Sequence, residues 1–163
     1  MDFHISVQSR SYKNLKCNHF MDKIFYYFIS SYEANNNDSI LIQSGKYYGL
    51  DLMPLSKIIY TDGNTKTEWI DEVSQPVDEL LALVSRFYEH IKADNTVCEK
   101  IHYSDLDHSI TPNQVGHISI KQEINPWNNY FKSGEILDDL GALIKSLKCY
   151  KENGADTIYL DVG

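Results

Sequence analysis

Two short segments of this chain place a histidine and a serine two residues apart between apolar neighbours: His4-Ile5-Ser6-Val7 and His117-Ile118-Ser119-Ile120. On a strand, alternate side chains point the same way, so each His and Ser would share one face. Imidazole titrates near neutrality, which suits a pair of histidines to act as acid and base on a phosphodiester while hydroxyls hold its oxygens. Such a site also needs cations, and Lys121 is the obvious one nearby. The plainer reading is two strands with polar outer faces. His102, Asp105, Asp107 and His108 form a second group, in HYSDLDH. Their spacing is no established ligand pattern such as H-E-x-x-H, so a solvated loop is expected there and no metal. There is no G-x-S-x-G elbow and no phosphate- or dinucleotide-binding glycine pattern, and no cofactor is implied. A binding protein is therefore favoured over an enzyme.

The charge distribution points the same way. Residues 61–80 carry Asp62, Glu68, Asp71, Glu72, Asp78 and Glu79 against Lys66 alone, a local charge of −5 within a chain of net −8. Residues 1–33 come to +1. A chain with so little clustered Lys and Arg is a poor binder of nucleic acid, whereas it suits a basic protein partner. Solvation of an acidic face is the bland alternative for any single carboxylate. Trp69 lies inside this segment, and an aromatic anchor ringed by polar groups is typical of binding hot spots. An inward-pointing Trp69 is nonetheless slightly preferred for a residue of a hairpin strand. Trp127, in the Asn-rich stretch Asn125 to Tyr130, is the tryptophan expected to be exposed.

With 163 residues, 42% hydrophobic and 12% aromatic, the chain suits one packed domain spanning residues 1–163. Cys17, Cys98 and Cys149 are odd in number and unpatterned, which suggests reduced thiols. The first residues lack a signal-peptide run, and Ile24 to Ile29 is too short to span a bilayer. A cytoplasmic address and no membrane partner are expected.

The elements follow from periodicity and turn chemistry. Phe3 to Gln8 alternates as a strand, and Asn18 is a candidate N-cap for a helix from His19 to about Ala34. Strands are expected at Ser39–Gln43 and Lys46–Leu52, joined by a turn at Ser44-Gly45. Ile58 to Tyr60 and Thr65 to Ile70 read as a hairpin around Asp62-Gly63-Asn64. Pro76 opens a helix with the stripe Val77, Leu80, Leu81, Val84, Phe87, Tyr88 and Ile91. Further strands are read at Val97–Tyr103 and Val115–Gln122, with the loop Ser104 to Gln114 between them. A helix from Glu135 to Lys151 has acidic residues at its start, lysines at its end and Gly154 as its stop. Thr157 to Val162 is a last strand. The fold class is α+β: a mainly antiparallel sheet of short strands packed by three helices.

The central stretch resembles a family of bacterial immunity proteins of polymorphic toxin systems, often paired with nucleic-acid deaminase toxins. The residues that carry the resemblance are Gly49, Tyr60-Thr61-Asp62-Gly63, the acidic Glu68 to Glu72, Pro76, and the helix with Ala82 and Phe87. It covers roughly residues 1–103. Where the family often closes with Gly-x-Arg-Pro and a Trp-containing strand, this chain has Ala93-Asp94-Asn95-Thr96. The resemblance implies stoichiometric neutralisation of a toxin by occlusion of its basic cleft. Asp62, Glu68, Trp69, Asp71, Glu72, Asp78, Glu79, Asp105, Asp107 and Trp127 would line the contact. The two His-x-Ser segments are similar to the paired motifs of 2H phosphoesterases, which makes His4, Ser6, His117 and Ser119 the alternative, catalytic set. A non-catalytic adaptor domain is a third reading.

Overall fold

The strand Thr157–Val162 organises the fold, and the other strands are laid against it. A computed structural model of the chain describes residues 3–35, 39–101 and 127–163, with the side chains of 31–35 left aside. In TIYLDV every second residue is apolar, and Ile158, Leu160 and Val162 are buried while their neighbours are not. We label it β4. The first strand, β1 (Ile5–Gln8), runs antiparallel to it, with Ile5 opposite Val162 and Val7 opposite Leu160. The two-residue strand β2 (Ile58–Ile59) runs parallel to it, with Ile58 opposite Leu160. The equally short β3 (Gln75–Pro76) is antiparallel and meets it at Ile158 and Thr157. This register puts the apolar side chains of β1, β2 and β4 on one face.

The domain is α+β, as expected, but the four-stranded sheet is mixed, and seven helices occur among the described residues. The expected sheet was larger because several apolar runs read as strands are helical. α1 spans Lys23–Asn35 and starts later than His19. Asn18 does not cap it: its side chain accepts the Val7 N–H at 2.7 Å and donates to the Val7 carbonyl at 2.8 Å. Asn18 thus occupies the outer edge of β1 as a further strand would. Asp22 serves α1 instead, accepting the Ile24 N–H.

Residues 39–52 are not two strands but α2 (Ile40–Tyr48) and its exit. The Ser39 hydroxyl accepts the Ile42 N–H, and Gly49, at φ 71°, ends the helix. Gly45 is no turn residue. A Cβ there would lie 2.6 Å from the Leu50 carbonyl oxygen and 3.1 Å from Leu52, so only glycine lets the returning chain pack on the helix. A 3-10 turn, Met53–Ser56, then leads into β2.

The hairpin is likewise absent. The side chain of Asp62 accepts from the Asn64 N–H and the Thr65 hydroxyl, which closes a local turn, and α3 (Thr67–Val73) follows. Pro76 precedes the first residue of α4 (Val77–Ala93), where it holds the N-cap position without a capping hydrogen bond and belongs to β3. The α4 stripe buries Val77, Leu80, Val84, Phe87 and Ile91. The expected strand at 97–103 begins as a single turn, α5 (Val97–Lys100). Tyr103, Ser104 to Gln114 and Val115 to Gln122 lie outside the described residues.

After residue 127 the chain forms α6 (Asn128–Lys132) and α7 (Glu135–Glu152), the latter agreeing with its expected span. α7 packs along α4 and buries Ile136, Leu140, Leu143, Leu147 and Tyr150. Gly154, at φ 94°, ends this run, and its N–H bonds the Lys151 carbonyl. The other side of the core is aromatic: Phe28 packs with Phe87, Trp127, Tyr130 and Phe131 at centroid distances of 5.6–6.3 Å. Trp127 is therefore fully buried, contrary to expectation.

The segment 17–22 has no regular structure of its own and lies along α7 as a strap. Its fastenings are a Cys17–Cys149 disulfide, a bond from the His19 N–H to Ser146 Oγ and one from the Asp22 N–H to Asp139 Oδ1. The disulfide corrects the expectation of reduced thiols, since spacing cannot report a pairing across 132 residues. Cys98 is a free, buried thiol. Among the described residues, no helix is long and apolar enough to cross a membrane.

Candidate functional site

α3 is the least embedded helix: none of its seven residues is buried. Ile70 and Val73, three apart, are half-buried and turn toward the body of the protein, which leaves Glu68, Trp69, Asp71 and Glu72 in solvent. Trp69 is 48% exposed, so the slight preference for an inward ring is overturned. The helical period explains it, because a helix separates Trp69 from Ile70 where a strand would have offered Trp69 the sheet. The acidic Glu68 in the first turn also suits the helix dipole.

The six carboxylates of this region are not equivalent. Asp62 is engaged in its own turn. Asp71 takes both its oxygens to Arg10 Nη1, at 2.6 and 2.8 Å, and Asp78 pairs with Lys151 at 2.7 Å. Both pairs are exposed, and exposed pairs of this kind contribute little to stability. Glu68, Glu72 and Glu79 have neither an ion pair nor a hydrogen bond among the described residues. Asp78 and Glu79 sit on the first turn of α4. Only Ser74, Gln75 and Pro76 separate it from α3, so the chain spans no more than about 14 Å between Val73 and Val77. Asp105 and Asp107 lie outside the described residues, and the buried Trp127 cannot act as a contact anchor.

The alternative, catalytic set is half visible. His4 donates from Nδ1 to the Met21 carbonyl at 3.1 Å, and its ring packs on Phe20 at 5.2 Å. The Ser6 hydroxyl accepts from the Gln8 amide at 3.2 Å. Ser6 sits on the outer face of β1, and His4 immediately precedes the strand. His117 and Ser119 are outside the described residues, as are His102 and His108. Among the described residues no group of His, Cys, Asp or Glu has the geometry of a metal site.

Two assemblies escaped the reading of the sequence. At one end of the sheet, Phe3, Tyr26 and Tyr60 form an aromatic cluster with centroids 5.1–6.2 Å apart, and the Tyr26 and Tyr60 hydroxyls share a 2.6 Å hydrogen bond. Tyr60 is 45% exposed. Thr61 follows it and bonds Asp161 of β4 through both its N–H and its hydroxyl. The second assembly joins α2 to the end of α4. Tyr47 donates to Asp94 Oδ2, Lys100 donates to Tyr47, Tyr48 donates to the Asp94 carbonyl, and Thr96 bonds Asp94 Oδ1 through N–H and hydroxyl. The bonds from Thr96, then from Tyr47, hold the Asp94 carboxyl well below the usual range, while burial, then Asp94, pushes the Tyr48 phenol far up. This network is satisfied internally and serves as a clasp; it presents no poised acid or base. The sequence signal was the Asp94-x-Thr96 turn, but nothing in it named Tyr47 as the partner.

Compared with known protein families, curated proteins and solved structures, the chain matches none.

Proposed function

We propose that this chain is an immunity protein that binds a cognate bacterial toxin and blocks the toxin's basic active-site or nucleic-acid-binding cleft. The observation that carries the reading is α3: an exposed indole set among Glu68 and Glu72, whose charges no described residue neutralises. Carboxylates at such a surface compete for the space and charge that a basic cleft reserves for phosphates. An aromatic anchor beside them supplies apolar area that a purely electrostatic contact lacks. The partner is a protein with a cationic surface.

The test pairs this chain with a toxin domain sought in the adjoining reading frame, and a neighbour that encodes none counts against the reading. Co-expression is expected to restore growth, and purified protein is expected to bind the toxin with an affinity that falls steeply as salt rises from about 0.05 to 0.5 M. Trp69→Ala is expected to weaken binding by about 2 kcal/mol, roughly thirtyfold, and the double reversal Glu68→Lys with Glu72→Lys by more. Binding that ignores salt and survives the reversal rejects this surface. The proposed compartment is the cytoplasm, where disulfides rarely persist. Trapping thiols with an alkylating agent in intact cells therefore decides the address: a cytoplasmic protein is expected to show Cys17 and Cys149 alkylated, and a bonded pair argues for an oxidising compartment.

A further inference from the structure

Trp69 already carries a cation. The Lys66 ammonium nitrogen lies 5.4 Å from the centroid of its ring, within the range of a cation–π contact. The two residues belong to one turn: Lys66 is the N-cap of α3, and its carbonyl accepts the Trp69 N–H at 3.1 Å. Such a short tether holds the ammonium near the indole at high effective concentration. Glu72 is three residues beyond Trp69 and shares its side of the helix, and Glu68 is its immediate neighbour. Neither carboxylate has an ion pair or hydrogen bond among the described residues. The ring face is thus occupied by the chain's own cation, while the carboxylates beside it are not.

We infer that Lys66 is a stand-in for an arginine of the partner protein. On docking, the partner's guanidinium stacks on Trp69 and bonds the Glu68 and Glu72 carboxylates, and Lys66 swings away into solvent. Arginine fits this place better than lysine. Its planar group stacks on an indole, it sheds water more readily than an ammonium, and its fork of N–H donors matches a carboxylate. Lys66 then has a second role, as a local competitor that raises the threshold for a weakly cationic protein. The inference rests on the acidic docking face proposed above and adds the chemistry of the contact to it.

Hexa-arginine and hexa-lysine peptides are the probes, titrated against the full chain. Acrylamide quenching of tryptophan reads the site, because Trp127 is buried and Trp69 is open. Hexa-arginine is expected to bind more tightly than hexa-lysine and to shield Trp69, and Trp69→Leu, followed by calorimetry because its reporter is gone, is expected to erase that preference. Lys66→Gln is expected to raise hexa-arginine affinity about threefold beyond Lys57→Gln, which removes the same charge from an exposed position elsewhere. Lys66→Arg keeps the charge but competes better, so affinity is expected to fall about twofold. Equal effects of Lys66→Gln and Lys57→Gln, or no preference for arginine, overturn the inference and leave the acidic face standing. Failure of both peptides to bind overturns the inference and the docking face together.

Discussion

Asp139 is 5% exposed and, among the described residues, has no cation beside it. One of its oxygens accepts the Asp22 N–H and the other the Tyr130 hydroxyl, at 2.9 and 2.6 Å. Burial raises its pKa most, the two hydrogen bonds pull the other way, the neighbouring Asp22 and Asp138 push up, and together they leave it at about 6. For a carboxyl raised in the folded state, the cost of ionisation is absent below about pH 4 and complete above about pH 6. Stability from this group therefore falls as pH rises through that window, by about 3 kcal/mol at most. Asp139→Asn retains an acceptor for Asp22 and offers an N–H to the Tyr130 oxygen. It is expected to be at least as stable as the unaltered protein at about pH 7.5, with the advantage shrinking toward zero near pH 4.5. Urea unfolding at both pH values checks this, and an advantage independent of pH rejects the assignment. Gly45→Ala sets two effects against each other. Helix propensity favours alanine by about 1 kcal/mol, but the Cβ meets a backbone oxygen at 2.6 Å, which cannot rotate away. Overpacking of this kind costs about 1–3 kcal/mol, so net destabilisation is expected in chemical unfolding.

α3 and α4 divide the labour between display and support. Phe87 of α4 is fully buried against Phe28, and Phe87→Ala is expected to cost about 3–5 kcal/mol. Trp69→Ala on α3 is expected to change stability by no more than about 0.5 kcal/mol while weakening binding by about 2 kcal/mol. Denaturant melts of the two variants, set beside toxin binding, separate the roles. Legibility in the sequence follows the same division. α4 and α7 were readable because each joins an apolar stripe to a local boundary mark, Pro76 before the one and the end charges with Gly154 for the other. α2 was not, because Ile40-Leu41-Ile42 is as apt for a strand as for a helix, and the Ser39 cap that decides it is one weak mark. α3 was missed since its turn, Asp62-Gly63-Asn64, carries hairpin residues yet is closed by side-chain bonds from Asp62. Gly63 is not among the residues at positive φ. The burial of Trp127 was beyond reach, because its neighbours Phe28 and Tyr130 include one residue 99 positions away. The acidic segment itself was legible, although its division into paired and unpaired carboxylates depends on Arg10 and Lys151, which only folding brings near.

At the scale of the molecule, the strap and the central strand tie the first quarter of the chain to the last. The Cys17–Cys149 bond closes a loop of 132 residues, and a crosslink of that span restricts the unfolded chain by about 2–5 kcal/mol. Adding a reductant, or the pair Cys17→Ser with Cys149→Ser, is expected to lower the melting temperature, and an unmoved transition would mean that the bond is not formed. β4 has a different consequence, one that concerns synthesis. A ribosome delivers β1, β2 and β3 long before residues 157–162, yet all three pair with that one late segment. Among the described residues, this sheet cannot form on the nascent chain before residues 157–162 have emerged, so its strands come together late. Until then the segments that carry Ile5, Val7 and Ile58 lack the strand they pair with.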